Sequence, residues 1–115
     1  MRKTILNLCA ALALAVGAAL AAWSWGARAD DAPEIVIKAF AYAPKDITVT
    51  VGTKVTWINR DPEPHTVVEK GGKFRSAALD TDDSYSFTFT EPGTYSIFCS
   101  LHPQMQAKVT VVPRS

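Results

Sequence analysis

The chain from about residue 34 onward is predicted to fold as an all-β, antiparallel sandwich or barrel. Apolar and polar side chains alternate along several short segments, as in strands that have one buried and one solvated face. Turn-forming pairs such as Gly52-Thr53 and Pro92-Gly93 separate these segments. No segment keeps the 3.6-residue apolar period of an amphipathic helix, so we predict no helical layer.

The alternation predicts about seven strands, taken here in chain order. The first covers residues 34–40 and places Ile35, Ile37 and Ala39 on one face. The others are predicted over residues 46–51, 54–59, 66–68, 84–90, 94–99 and 107–112. Their apolar sides carry residues such as Ile47, Val49, Val55, Trp57, Tyr85, Phe87, Phe89, Tyr95 and Ile97. Residues 69–83, which include Gly71-Gly72 and an acidic run, are predicted to be mostly loop.

The first 29 residues have the pattern of a secretory signal peptide. Arg2 and Lys3 precede a long apolar run over residues 5–22, and Ala27-Arg28-Ala29 supplies a small-x-small cleavage motif. Cleavage after Ala29 would leave residues 30–115 as one exported domain in the periplasm. The alternative is a retained membrane anchor, because the apolar run approaches the roughly 20 residues that span a bilayer.

The charge and cysteine content of the predicted mature chain narrow its function. Nine Lys/Arg and eleven Asp/Glu side chains remain after the predicted cleavage, a net charge of −2, and nothing suggests a nucleic-acid partner. Cleavage removes Cys9 and leaves Cys99 alone, so no internal disulfide can form. An unpaired thiol is unusual in an oxidising compartment, and a bound metal would both use and protect it.

Four candidate metal ligands lie on two predicted loops. Cys99, His102 and Met105 follow one another at three-residue intervals between two predicted strands, and His65 ends an earlier Pro-rich loop. Together they are the only histidines of the chain and the only Cys and Met after residue 29. Two imidazoles and a thiolate, with a weak axial thioether, are typical of a blue-copper site. The sequence therefore predicts one type 1 copper ion as the cofactor.

Other kinds of metal site and other functions fit these residues less well. A structural zinc site usually has more than one Cys, so this ligand set favours copper. There are no spare histidines for a second copper cluster, so we expect an electron carrier that cycles between Cu(II) and Cu(I) rather than an enzyme. A periplasmic copper carrier or storage protein is the alternative, and a sandwich module without metal is a third hypothesis.

Several stretches carry a resemblance to a known family. They are residues 51–60 (VGTKVTWINR), the pair Pro64-His65, residues 87–95 (FTFTEPGTY) and the short C-x2-H-x2-M loop. The sequence resembles the cupredoxins, and among them the amicyanins. The resemblance implies a Greek-key β-sandwich of about seven to eight strands with copper at one end.

The same resemblance assigns roles to individual residues. It implies that His65, Cys99 and His102 are the strong ligands and that Met105 is the weak axial one. It also implies that Asn59 tethers the two ligand loops through a hydrogen bond to the backbone at Ser100.

The resemblance also suggests redox partners, namely a dehydrogenase and a c-type cytochrome, that dock near His102. Leu101 and Gln104 replace the Pro and Phe that amicyanins carry, and Glu63 replaces an apolar residue. These substitutions change the docking face, while the predicted copper ligands are kept.

Overall fold

A computed structural model describes residues 32–114, and the predicted signal segment lies outside this range. The described residues form eight strands and no helix, so they contain no helical membrane span. The strands are β1 (Glu34–Lys38), β2 (Ala41–Ala43), β3 (Asp46–Thr50), β4 (Lys54–Asn59), β5 (Val68–Glu69), β6 (Ser84–Thr88), β7 (Gly93–Phe98) and β8 (Gln106–Val112).

The strands form two four-stranded sheets. The first has the order β2-β1-β4-β6 and the second the order β3-β8-β7-β5. The predicted antiparallel pairing holds for β1 with β2, β4 with β6, β5 with β7 and β7 with β8, but β1 pairs with β4 and β3 pairs with β8 in parallel. In each case the chain passes through the other sheet before it returns, so the two neighbours run in the same direction. Such crossovers suit the Greek-key sandwich that the resemblance implied.

The core lies on the alternating buried faces of the strands, as the sequence pattern predicted. Ile35 and Ile37 of β1 and Val55 and Trp57 of β4 are almost completely buried. Ile97, Val109 and Phe89 are buried in the same cluster. Burying each of these side chains stabilises the fold by about 1.5–3 kcal/mol. The rigid sandwich that results supports the loops at its ends.

The predicted first strand, over residues 34–40, is two residues longer than the observed strand β1. It ends at Lys38, and Ala39 and Phe40 form a turn with φ angles of 54° and 58°. These left-handed conformations interrupt the alternation, so Ala39 is exposed and does not share the buried face of Ile35 and Ile37. The short strand β2, which pairs antiparallel with β1 after the turn, was not predicted because three residues show no clear period.

Two other strands differ from the prediction by more than one residue, whereas the bounds of the remaining strands agree to within one residue. The strand expected over residues 66–68 is β5, Val68–Glu69. His65 and Val67, which precede this strand, form backbone hydrogen bonds with Leu79 and Ser76 of the following loop. The strand expected over residues 84–90 ends at Thr88. Residues 70–83 are mostly loop, as predicted.

Candidate metal centre

The loop from residue 99 to residue 105 is a compact series of turns after β7. The Cys99 N–H donates to the Met105 carbonyl at 3.2 Å, and the His102 N–H donates to the Cys99 carbonyl at 3.2 Å. The Met105 N–H in turn donates to the His102 carbonyl at 2.9 Å. These bonds join the two ends of the loop and fix its middle. The backbone that carries the Cys99 and His102 side chains is therefore held in place.

The second loop brings His65 to the same place. Its N–H donates to the Leu79 carbonyl at 3.1 Å, and the Leu79 N–H donates back to the His65 carbonyl at 2.7 Å. This pair of bonds forms an isolated β-bridge that fixes the backbone of His65. The His65 side chain is completely buried, whereas His102 is only partly buried.

The donor atoms of three predicted ligands converge. The Cys99 Sγ lies 3.8 Å from the His65 Nδ1 and 3.7 Å from the His102 Nδ1. All three donor atoms lie within 4.8 Å of one another. Metal bonds of about 2.3 Å to sulfur and 2.05 Å to imidazole, at about 120°, would separate sulfur and nitrogen by roughly 3.8 Å. The two sulfur-to-nitrogen distances in this structure therefore fit a metal ion bound by Cys99 together with both histidines.

Asp61 fixes the orientation of the His65 ring. The His65 Nε2–H donates to the Asp61 Oδ2 at 2.8 Å, which leaves the Nδ1 lone pair facing Cys99. The same carboxylate accepts the N–H groups of Ala39 at 2.7 Å and of Phe40 at 2.9 Å. Burial alone would raise the pKa of Asp61, but these N–H donors and His65 outweigh it and lower the pKa below 3.8.

The surroundings of Cys99 favour its thiolate form. Burial alone would raise the pKa of the thiol, but the Thr66 N–H donates to the sulfur at 3.3 Å. Together with contacts to His65 and His102, this bond lowers the pKa of Cys99 to about 6. A thiolate is the form of cysteine that binds a metal, so the protein environment prepares this sulfur for metal binding.

Thr66, rather than Asn59, tethers the two ligand loops. The Ser100 N–H donates to the Thr66 Oγ1 at 2.7 Å, and the two hydroxyl groups are 2.9 Å apart. The predicted bond from Asn59 to the backbone at Ser100 is therefore wrong. Thr66 immediately follows His65 in the chain, and its hydroxyl group contacts the cysteine loop, whereas the Asn59 side chain bonds to residues 61, 63 and 79.

Asn59 instead organises the loop that leads to His65. Its Nδ2 donates to the carbonyls of Glu63 and Leu79, each at 2.8 Å, and its Oδ1 accepts the Asp61 N–H at 2.9 Å. The side chain is completely buried. Asn59 thus holds both Asp61 and the bridge partner of His65, and it influences the site through those two residues.

Met105 belongs to the hydrophobic core and is 3% exposed. Its backbone is fixed against Cys99 by the bond described above. The structure therefore places all four predicted ligands at one end of the sandwich, with three donor atoms in close proximity. Sequence reasoning missed Asp61, Thr66 and Phe40. The only available indication was that Asp61 and Thr66 are polar neighbours of His65 in the sequence.

Comparisons with known proteins agree with this geometry. The cupredoxin-like domain family matches residues 8–111. The chain belongs to the cupredoxin family. The amicyanin of Paracoccus denitrificans is 42% identical to this cupredoxin over 88 residues, which cover 72% of this chain and 67% of that protein. The amicyanin of Paracoccus versutus is 34% identical, with 95% of this chain and 96% of that protein covered.

The structure is also similar to a solved amicyanin structure. This cupredoxin is similar to the Cu(I) form of a mutant amicyanin, with a TM-score of 0.67 and 36% identity over 74% of this chain and 86% of that one. The predicted family and the predicted sandwich fold are confirmed. The predicted cofactor, one type 1 copper ion, is confirmed as the cofactor of this family, and the cluster of His65, Cys99 and His102 is compatible with it.

Proposed function

We propose that this cupredoxin is a small one-electron carrier that binds one copper ion through His65, Cys99, His102 and Met105. The observation that carries the proposal is the convergence of the Cys99 Sγ with the Nδ1 atoms of both histidines, at 3.8 and 3.7 Å. The similarity to amicyanins supports it. Bound copper would supply the Cu(II)/Cu(I) couple.

The residues of the chain would keep the site nearly unchanged during electron transfer. Asp61 fixes the His65 ring, and the backbone bonds of the 99–105 loop fix Cys99. Thr66 joins the two loops through the Ser100 N–H. Because His65 and Cys99 are held by bonds outside the metal shell, little rearrangement of these two ligands would accompany a change of oxidation state, which would keep the barrier to electron transfer low.

His102 is the proposed point of electron exchange. It is the less buried of the two histidines, and Leu101, Pro103 and Pro64 are exposed at the same end of the molecule. A partner that docks on these apolar side chains would approach the His102 ring. We propose a dehydrogenase and a c-type cytochrome as partners, by analogy with the amicyanins. Such encounters bury little area and dissociate quickly, which permits rapid turnover.

We also propose that the protein acts in the periplasm after cleavage behind Ala29. The basic start, apolar run and small-x-small motif of the first 29 residues support this. Expression of the full chain in a Gram-negative host, followed by mass spectrometry of the periplasmic fraction, should give a protein that begins at Asp30. Recovery of the uncleaved chain in the membrane fraction would instead support an anchored protein.

The copper proposal is tested by adding one equivalent of Cu(II) to the purified mature protein. We expect an intense visible thiolate-to-copper absorption, a type 1 EPR spectrum and a reversible one-electron wave. Cys99→Ser should lose the absorption, whereas Ser96→Ala, an exposed change on β7, should keep it. An intense band in the Cys99→Ser protein would refute the proposal. Transfer of copper to a chelator within seconds would favour the copper-carrier alternative.

A further inference from the structure

Phe40 lies directly against both histidines of the metal centre. Its ring meets the His65 ring at a centroid distance of 5.1 Å and an angle of 87°. It meets the His102 ring at 4.8 Å and 85°. Edge-to-face contacts of this kind are favourable aromatic geometries. Phe40 also remains 41% exposed, so one of its sides faces solvent while another covers the imidazoles.

The backbone at Phe40 is held in an unfavourable conformation. Ala39 and Phe40 have φ angles of 54° and 58°, in the left-handed region that residues other than glycine rarely adopt. Two such residues in succession persist only where the surroundings impose them. The Asp61 carboxylate does so here, because its two oxygens accept the N–H groups of Ala39 and Phe40.

Besides the ring contacts, hydrogen bonds to Asp61 connect Phe40 to the metal centre. The oxygen that accepts the Phe40 N–H also accepts the His65 Nε2–H. A single buried carboxylate thus fixes both the imidazole and the turn that carries the ring packed against it. His102 has no comparable carboxylate partner in the described structure, and its ring contacts Phe40, His65 and the Cys99 Sγ.

We propose that Phe40 is a positioning residue that restrains the His102 ring and covers the exposed side of the metal centre. The inference rests on the proposed copper-binding function. In this arrangement Asp61 holds the turn, the turn holds the Phe40 ring, and the ring limits rotation of the His102 imidazole. Phe40 also keeps water and small chelators away from the two imidazoles.

The test compares Phe40→Leu, which keeps apolar volume but lacks a ring edge, with Phe40→Tyr, which keeps the ring. Ser96→Ala, an exposed substitution on β7 outside both ligand loops, is the control. The rate of copper transfer to excess bathocuproine disulfonate should rise about tenfold in Phe40→Leu. It should stay within about twofold of wild type in Phe40→Tyr and Ser96→Ala.

Two further readouts separate positioning from general stability. Phe40→Leu should change the copper hyperfine splitting in the EPR spectrum, whereas the unfolding midpoint of its metal-free form should match that of wild type. NMR of the metal-free proteins should show greater mobility of the His102 ring in Phe40→Leu than in Phe40→Tyr.

The outcomes distinguish this inference from the proposed function. If wild type binds copper with an intense visible band but Phe40→Leu releases it at the wild-type rate with unchanged EPR, the role of Phe40 is refuted alone. If wild type gives no such band, the proposed function fails. The NMR comparison of His102 mobility then decides separately whether Phe40 restrains that ring, and equal mobility in both variants refutes it.

Discussion

The hydroxyl group of Thr66 offers the sharpest test of how the two ligand loops are joined. Thr66→Val has nearly the same shape but lacks the Oγ1 atom that accepts the Ser100 N–H at 2.7 Å. The Thr66 N–H, which donates to the Cys99 Sγ at 3.3 Å, is retained. The substitution therefore removes the tether and leaves the backbone bond to the sulfur in place.

The size of the effect follows from the groups that lose a partner. Thr66 is 6% exposed, and Ser100 is partly buried, so water can replace the lost acceptor only in part. Leaving such an N–H group without a partner costs about 1–2 kcal/mol. In a domain of this size each kcal/mol lowers the melting temperature by about 4–8 °C, so we expect a decrease of roughly 5–15 °C.

The measurement is urea and thermal unfolding of the metal-free proteins. Thr48→Val is the matched control, since Thr48 is exposed on β3 and its hydroxyl makes no hydrogen bond within residues 32–114. It should change the free energy of unfolding by less than about 0.5 kcal/mol. The copper form of Thr66→Val should keep the visible band, because the ligands remain, but should release copper faster. If Thr66→Val is as stable as Thr48→Val, the reasoning about the tether is wrong.

Three further substitutions test other parts of the site. Asn59→Ala leaves the Glu63 carbonyl and the Asp61 N–H without this partner and removes one of the two bonds to the Leu79 carbonyl, which keeps the His65 N–H. The free energy of unfolding should therefore fall by about 3 kcal/mol, and a loss below 1 kcal/mol in urea would contradict this. Met105→Leu conserves the volume of this buried side chain and should lower the free energy of unfolding by less than about 1.5 kcal/mol. The visible spectrum of the copper form should change, and an unchanged spectrum would argue against Met105 as the axial ligand. Burial raises the pKa of Tyr42 above 10, so the folded protein holds the phenol proton more tightly than the unfolded chain does. The resulting stabilisation is present below pH 10 and is lost as the pH rises further. Tyr42→Phe should weaken the decline in stability at alkaline pH. It should also lower the free energy of unfolding by about 1 kcal/mol at pH 7, since the Tyr42 hydroxyl donates to the Thr66 carbonyl at 2.7 Å. An identical pH dependence of urea unfolding in both proteins would refute this.

The strand pattern could be predicted from sequence because burial alternates along each strand. Ile35 and Ile37, or Val55 and Trp57, are almost completely buried in the core at every second position. Strand direction carries no such pattern, since a parallel and an antiparallel neighbour bury the same faces. The parallel pairings of β1 with β4 and of β3 with β8 therefore could not be inferred from alternation alone.

The ligand types could also be predicted, because the chain offers so few of them. With two histidines and, after residue 29, one cysteine and one methionine, the sequence leaves little choice of soft and imidazole donors. Their convergence depends on β7 and on the bridge between His65 and Leu79 ending at the same edge of the sandwich. The tether was wrongly assigned because Asn and Thr are equally plausible as loop hydrogen-bonding residues, and only the direction of each side chain separates them.

The contribution of Phe40 to the site lies beyond sequence patterns for a physical reason. By alternation Phe40 follows Ala39 in an extended strand, and nothing local favours two successive left-handed residues. Asp61, about twenty residues later in the chain, imposes that conformation by accepting both N–H groups. The same carboxylate orients His65, so the local departure from strand geometry and the order of the metal centre have one cause. A substitution at Asp61 should therefore disturb the turn and the His65 ring together, whereas a substitution at Phe40 should leave His65 bound to its carboxylate and affect chiefly His102.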